Sequence, residues 1–258
     1  MRTGIFTERK RFKESSILFK SDNRGAIAAA ISSIRVHRIE LETYNYLHPD
    51  FQYLLNPTTI ELEAPRIVKL MAESTIPFDM GPMAAVAGVI ADLAVEAMQK
   101  CGAKIAIVED GGEISANSHE PFVIALHAGK NALSNKIGFR VYPEECPIGI
   151  ATSSSTIGHA ISFGEADSVT IFAKSAGVAD GAATAVCNSV RGKDVKASVQ
   201  NGLAYANQLN DIIRGAMIIR EGYVGSIGKI PQLLRVKKGL DINKVLHLEF
   251  PDQEKDKN

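Results

Sequence analysis

Ser168-Val169-Thr170-Ile171-Phe172-Ala173 ends a series of short apolar, β-branched segments, and the reading of that series decides the fold. Lys104 to Val108 comes first and is broken by Gly111-Gly112. Phe122 to His127, Ile137 to Val141 and Ile148 to Thr152 follow. Segments grouped this closely, with helical patterns before and after them, predict an α+β fold with a largely antiparallel sheet rather than an alternating parallel one. Downstream, Val178 to Val190 is Ala-rich and helical. Val195 to Leu209 repeats Val199, Leu203, Ala206 and Leu209 at helical intervals. Ala216 to Arg220 and Tyr223-Val224, joined across Glu221-Gly222, form a hairpin candidate.

Upstream, Phe78-Asp79-Met80-Gly81-Pro82 leads into Met83 to Lys100. Pro82 suits a first helical position, and Gly102 supplies a stop. Asp92, Glu96, Gln99 and Lys100 make one narrow polar stripe on this helix, so the rest of it should be buried. Ala84, Ala87, Gly88 and Ala91 would let another backbone or a flat ligand come close, and the first-turn N–H groups are available to an anion. Earlier still, Phe12 to Ser21 reads as a strand and Ala26 to Leu47 as a helix. Pro65 opens a short helix through Met71 and Ala72. One domain spanning 1–258 is expected, with an N-terminal part at 1–78, a motif-bearing core at 79–190 and a helix with a hairpin at 191–258.

The bulk numbers narrow the function. The 258 residues carry 29 basic and 29 acidic side chains, a formal net charge of zero, so a dominant phosphate-binding surface for nucleic acid is not expected. The runs Arg9, Lys10, Arg11, Lys13 and Arg235, Lys237, Lys238 read as solvated faces. Cys101, Cys146 and Cys187 form no C-x-x-C pair and read as reduced thiols of a cytoplasmic protein. Met1 to Phe12 lacks the apolar core of a signal peptide, and Ala26 to Ile34 is too short to span a bilayer, so no membrane association is expected.

Three places could carry chemistry. Glu109-Asp110-Gly111-Gly112-Glu113 is first a hairpin turn. Its paired glycines also permit positive φ and a close backbone approach to a ligand. Ala151-Thr152-Ser153-Ser154-Ser155-Thr156-Ile157-Gly158-His159 sets five consecutive hydroxyls after an apolar strand, either as a hydrated loop or as phosphate ligands. His159 in that loop is the acid–base candidate, with an ordinary structural histidine as the alternative. In Ala179-Asp180-Gly181-Ala182-Ala183-Thr184-Ala185, Asp180 and Thr184 share one helical face. Two such oxygen donors suit Mg²⁺, which takes few protein ligands and leans on substrate phosphates. The competing reading makes Asp180 a helix cap and has Thr184 bond back to the preceding turn.

The order of these elements resembles the ApbE superfamily of FAD-dependent FMN transferases. Asp79-Met80-Gly81 is similar to its D-L-G-G-I-A-K-G segment, Glu109 to Ile114 to N-x-G-G-D-I, and Ala151-Thr152-Ser153 to A-x-T-S-G. Ser168 to Ile171 followed by Ala179 to Ala185 is similar to S-V-T-V and A-D-A-L-A-T-A. A prokaryotic branch of that superfamily is nearer still: Gly81 to Gly88, Glu109 to Ile114, Leu133 to Gly138 and Thr152 to His159 resemble its motifs. The likeness extends there to Tyr44 through Phe51 and Ser226 to Lys229.

The resemblance implies an ApbE-like, T-fold-type domain with helices packed on the sheet. It implies FAD bound between the two loops, with Gly81, Gly111, Gly112, Thr152, Ser153 and Ser154 as cofactor-binding residues. It also implies Mg²⁺ on Asp180 and Thr184, His159 as acid–base group, and an acceptor protein whose hydroxyl takes FMN as AMP leaves. The family's lysine has no counterpart; straight alignment puts Ala85 there. D-P-R-T-G is absent after His159. Two other readings therefore stand beside a flavin-nucleotide transferase or related phosphotransferase. One is a non-catalytic protein binding a flavin or another phosphorylated cofactor; the other is an assembly subunit forming homo-oligomers through apolar helices.

Overall fold

In the computed structural model the described residues are 4–13, 15–125, 137–154 and 164–235. Eight strands form one antiparallel sheet. They are β1 (Phe6–Phe12), β2 (Ser15–Ser21), β3 (Ile105–Asp110), β4 (Glu113–Ser118), β7 (Ile148–Ser153), β8 (Ser168–Ala173), β9 (Ile213–Arg220) and β10 (Tyr223–Gly228). Their order is β1-β2-β3-β4-β7-β8-β9-β10. A second antiparallel sheet, β11-β6-β5, is built from β5 (Phe122–Ala125), β6 (Ile137–Val141) and β11 (Gln232–Arg235). The expected α+β class and antiparallel sheet are what the protein has.

Among the described residues, five α-helices accompany the sheets: α1 (Arg24–Leu47), α2 (Arg66–Thr75), α3 (Val86–Lys100), α4 (Ala176–Ser189) and α5 (Val195–Gln208). Asn23 starts α1 by accepting from the Gly25 and Ala26 N–H groups, which satisfies two of the first-turn donors. Pro82 opens a single 3₁₀ turn, Pro82–Ala85, that runs into α3. Gly102, at φ +80°, lets the chain leave α3 in a left-handed conformation.

Strand alternation divides the core. Ala106 and Val108 of β3 pack with Ile17 and Phe19 of β2 against α1 and α3. Ile105, Ile107, Ile114 and Ile148 turn to the other face and meet Phe122, Phe139 and Val141 of the small sheet. Ile171, Ala173 and Ile218 pack under α4 and α5. Because both faces of the large sheet are covered, its central strands read as continuous apolar runs rather than alternating ones. Among the described residues, the stretch Pro82–Lys100 has the length and hydropathy of a membrane span, and just over half of it is buried in the protein's own packing.

Three strands depart from the sequence reading. Of the run Arg9, Lys10, Arg11, Lys13, expected as a solvated face, Arg9, Arg11 and Lys13 are exposed and Lys10 is half-buried, but its first three residues lie in edge strand β1, paired from Phe6↔Ser21 to Phe12↔Ser15. β4 was not expected, since Ser115, Asn117 and Ser118 interrupt its apolar pattern. β11 has only four residues and three of them are exposed.

Candidate functional site

The site is built where α3, α4 and the β3–β4 turn meet. Asp110 pairs with Glu113 across the two-residue turn Gly111-Gly112, with φ +73° and +142°; only glycine takes both without strain. The hairpin reading of this loop is therefore correct. By alternation from Val108 and Ser115, Asp110 and Glu113 lie on the helix-covered face, and Glu109 lies on the opposite one. β4 pairs with β7 at Ile114↔Ile150, which carries the turn alongside the end of β7. A side chain at Gly112 would lie 3.9 Å from the Thr152 carbonyl oxygen. The Gly-Gly turn and the Thr-Ser segment, separated by about 40 residues, are thus neighbours. Thr152 and Thr170 share a hydroxyl–hydroxyl hydrogen bond of 3.0 Å, and Thr152, Ser153 and Ser154 are half-buried.

Asp180 is not the cap of α4. Ser175 occupies the cap position, and Asp180 sits inside the helix, where its Oδ2 accepts from the Gly88 N–H at 3.0 Å. The Gly88 N–H, in the first turn of α3, therefore has an internal anion as its partner. Thr184 is buried one turn further along the same face of α4. Gly88 permits the contact, for a Cβ there would stand 2.3 Å from the Ala176 carbonyl oxygen. A second carboxylate runs the other way. Asp92 of α3 accepts from the Ala176 N–H at Oδ1 and the Gly177 N–H at Oδ2, both 2.9 Å, and from the Ser115 hydroxyl at 2.6 Å. Asp92 belongs to the polar stripe by sequence, yet it faces the start of α4.

Carboxylates dominate the electrostatics. Burial pushes Asp180 up to about 7; the Gly88 N–H opposes this, while Asp110 and Asp92 add to it. Glu113 is also raised well above the ordinary range, by burial first and then by Asp180 and Asp110. Asp92 is raised by burial against its three hydrogen bonds. Like charges crowded away from water favour the protonated form until a cation joins them. Among the described residues, no three His, Cys, Asp or Glu side chains converge on one metal position. No closed protein cage is built there; Asp180 and Thr184 would suit only an ion that completes its shell with ligand oxygens, as Mg²⁺ does on phosphates.

Of the other expected site residues, Gly81 is buried and donates its N–H to the Leu55 carbonyl at 2.8 Å. A Cβ on it would strike the Leu54 carbonyl oxygen. His159, Ser155, Thr156 and most of Leu133–Gly138 lie outside the described residues. Ala85, at the place of the family's lysine, is fully buried in the core around α3. Asp110 and Glu113 join the acidic group without having been singled out in the sequence; the signal was a pair of acids flanking a Gly-Gly turn. Among the described residues, one concavity of about 600 Å³ lies around Pro57–Leu62 and Ile76, and another of about 290 Å³ is lined by Arg66, Asp92, Ser115 and Lys174. Neither is lined by Asp180, Thr184 or the Gly-Gly turn.

A family model described as AbpE bacteria matches residues 11–225. The chain belongs to that family. Among the relatives of this AbpE-family chain is the UPF0280 protein MJ1526 of Methanocaldococcus jannaschii, 38% identical over 94% of this chain and 99% of the relative. The UPF0280 protein MK0206 of Methanopyrus kandleri is 35% identical, covering 91% and 95%. The fold is shared with solved flavin transferases. The Pseudomonas stutzeri flavinyl transferase ApbE superposes with a TM-score of 0.58 at 17% identity, over 87% of this chain and 94% of that one. The Vibrio cholerae flavin transferase ApbE gives 0.57 at 13% identity, over 87% and 97%. At such identities the likeness is one of fold, and the chemistry rests on the site itself.

Proposed function

We propose that this AbpE-family protein is a Mg²⁺-dependent flavin-nucleotide transferase acting in the cytoplasm, with FAD as donor and a protein hydroxyl as acceptor. The observation that supports this most is the seating of Asp180 near Asp110 and Glu113, the two acids that flank the Gly111-Gly112 turn. There its carboxylate is held near neutral by burial and by like charge, while Thr184 follows one turn on. Mg²⁺ bound at Asp180 and Thr184 would neutralise charge on a pyrophosphate. Asp180 Oδ2 accepts from the Gly88 N–H, which would hold the carboxylate in place for such an ion. The turn at Gly111-Gly112, with no Cβ, brings main chain close to the ligand. Thr152, Ser153 and Ser154 would supply hydroxyl and backbone donors to its phosphates. His159 is the proposed acid–base group.

The reading is tested by thermal unfolding with FAD and Mg²⁺. Ligand at a hundred times its dissociation constant adds about 2.7 kcal/mol, and for a chain of this size that is roughly 5–10 °C. The shift should require Mg²⁺ and vanish in Asp180→Ala. A shift unchanged in Asp180→Ala removes the metal assignment, and no shift with any flavin removes the transferase. Buried Ala85 favours a second reading, a non-catalytic cofactor-binding protein, because that position offers no lysine to a ligand. Release of AMP from FAD rules that reading out.

A further inference from the structure

The contacts between α3 and α4 form a reciprocal pair. Asp180, in the second turn of α4, closes an N–H in the first turn of α3; Asp92, in the second turn of α3, closes two N–H groups in the first turn of α4. As the chain advances from Gly88 to Asp92, its partners retreat from Asp180 to Ala176, so the helices run antiparallel here. Each first turn receives a carboxylate, which complements the positive end of its helix. The Ser115 hydroxyl ties Asp92 to β4, two residues after Glu113, so one carboxylate connects α3, α4 and β4. None of the family motifs that drew attention to Asp180 and Thr184 includes Asp92.

We propose that Asp92 is the positioning residue of the site: by capping α4 and holding Ser115, it fixes the helix register that aims Asp180 at the Gly-Gly turn. The proposal rests on the reading of Asp180 as the Mg²⁺ ligand, but its geometry can be tested without any ligand. Asparagine at this position keeps the shape of the side chain, offers a single oxygen and removes the charge from the helix end. Alignment of α4 on α3 then loosens, and with it the bond from Gly88 to Asp180, a bond Asp92 does not touch.

The experiment is residue-resolved amide hydrogen exchange on the native chain, Asp92→Asn and Ser115→Ala, paired with Mg²⁺ titrations of the FAD thermal shift. In Asp92→Asn, the Ala176, Gly177 and Gly88 amides are expected to lose at least tenfold in protection while Ile218 in β9 is unchanged. The Mg²⁺ concentration for half the shift is expected to rise at least tenfold, with the full shift recovered at saturation. Ser115→Ala retains the carboxylate and should show a smaller loss at Gly88; it decides the matter if Asp92→Asn does not fold. Unchanged Gly88 protection in the folded variants overturns the proposal, as does a loss spread evenly over helices and sheet. If the native chain shows no Mg²⁺-dependent shift, the transferase reading falls, and the exchange data alone decide whether Asp92 positions Asp180.

Discussion

Adding a single methyl group at Gly88 should separate the two helices of the site. In Gly88→Ala the new Cβ would stand 2.3 Å from the Ala176 carbonyl oxygen, 2.5 Å from its carbon and 2.8 Å from the Gly177 nitrogen. All three are backbone atoms, so no side chain can swing away. Ordinary contact needs roughly 3.5 Å, so α3 and α4 must part by about 1 Å at this point. Overpacking of this kind costs about 1–3 kcal/mol, and stretching a hydrogen bond to a carboxylate adds about 1 kcal/mol. Replacing a helical glycine returns roughly 0.5–1 kcal/mol of propensity. The net loss is about 1–3.5 kcal/mol, or a fall in Tm of roughly 2–14 °C. Urea unfolding followed by far-UV circular dichroism measures it. A variant as stable as the native chain would refute the close approach, and with it the account of how Asp180 is seated.

Three other substitutions probe parts of the fold away from that contact. Burial pushes Glu109 up to about 7 from an ordinary 4.5, with Asp110 adding to the rise and Arg9 and Lys20 opposing it. A raised carboxyl favours the folded state fully below pH 4.5 and loses that contribution as pH rises through about 7. The native chain should thus lose up to about 3 kcal/mol from this group between pH 4 and 8, and Glu109→Gln should flatten that slope; parallel pH profiles would disprove it. Arg220, nearly buried, donates to the Gly192 carbonyl, the Ser198 hydroxyl and the Glu165 carboxylate at 2.6–2.8 Å. A lysine ammonium cannot span three acceptors set by a planar fork, so Arg220→Lys should cost about 2 kcal/mol in urea unfolding, and full retention of stability argues against the three-way contact. Glu96 is lowered to about 2 by Arg66 first and then by Lys100. That exposed network contributes no more than about 1 kcal/mol, so Arg66→Ala should have a small effect that disappears at 1 M salt, and a salt-independent loss would contradict it.

The helices were legible because their apolar spacing and their stops are local. Ala26 to Leu47 and Val195 to Leu209 fall within two residues of α1 and α5. The central strands were legible because both faces of the sheet are covered, leaving apolar runs such as Ile148 to Ala151. β4 was hidden for the reason that makes it useful: Glu113 and Ser115 are spent on the acidic group and on Asp92, so the strand lacks an apolar signature. Asp180 and Thr184 could be picked out because their four-residue spacing is an intrahelical property. Asp92 could not, because its role depends on which turn of α4 lies opposite it, and that register exists only once α3 and α4 are packed together. The same dependence explains why a cap competed as a reading of Asp180: the sequence shows an acid near a helix start, while the fold decides whose start it serves.

The outer strand of the large sheet presents Glu8, Arg9 and Arg11 to solvent along an open hydrogen-bonding edge. A strand arriving from another molecule would have to strip water from these ions and bring charge against charge before gaining a single backbone bond. The row is mixed but mostly basic, one acid at Glu8 followed by Arg9 and Arg11, so an incoming strand would have to match that charge pattern to dock there. The basic run first taken for a passive solvated surface therefore acts as a terminus for the sheet, allowing eight strands to end in water without recruiting a ninth.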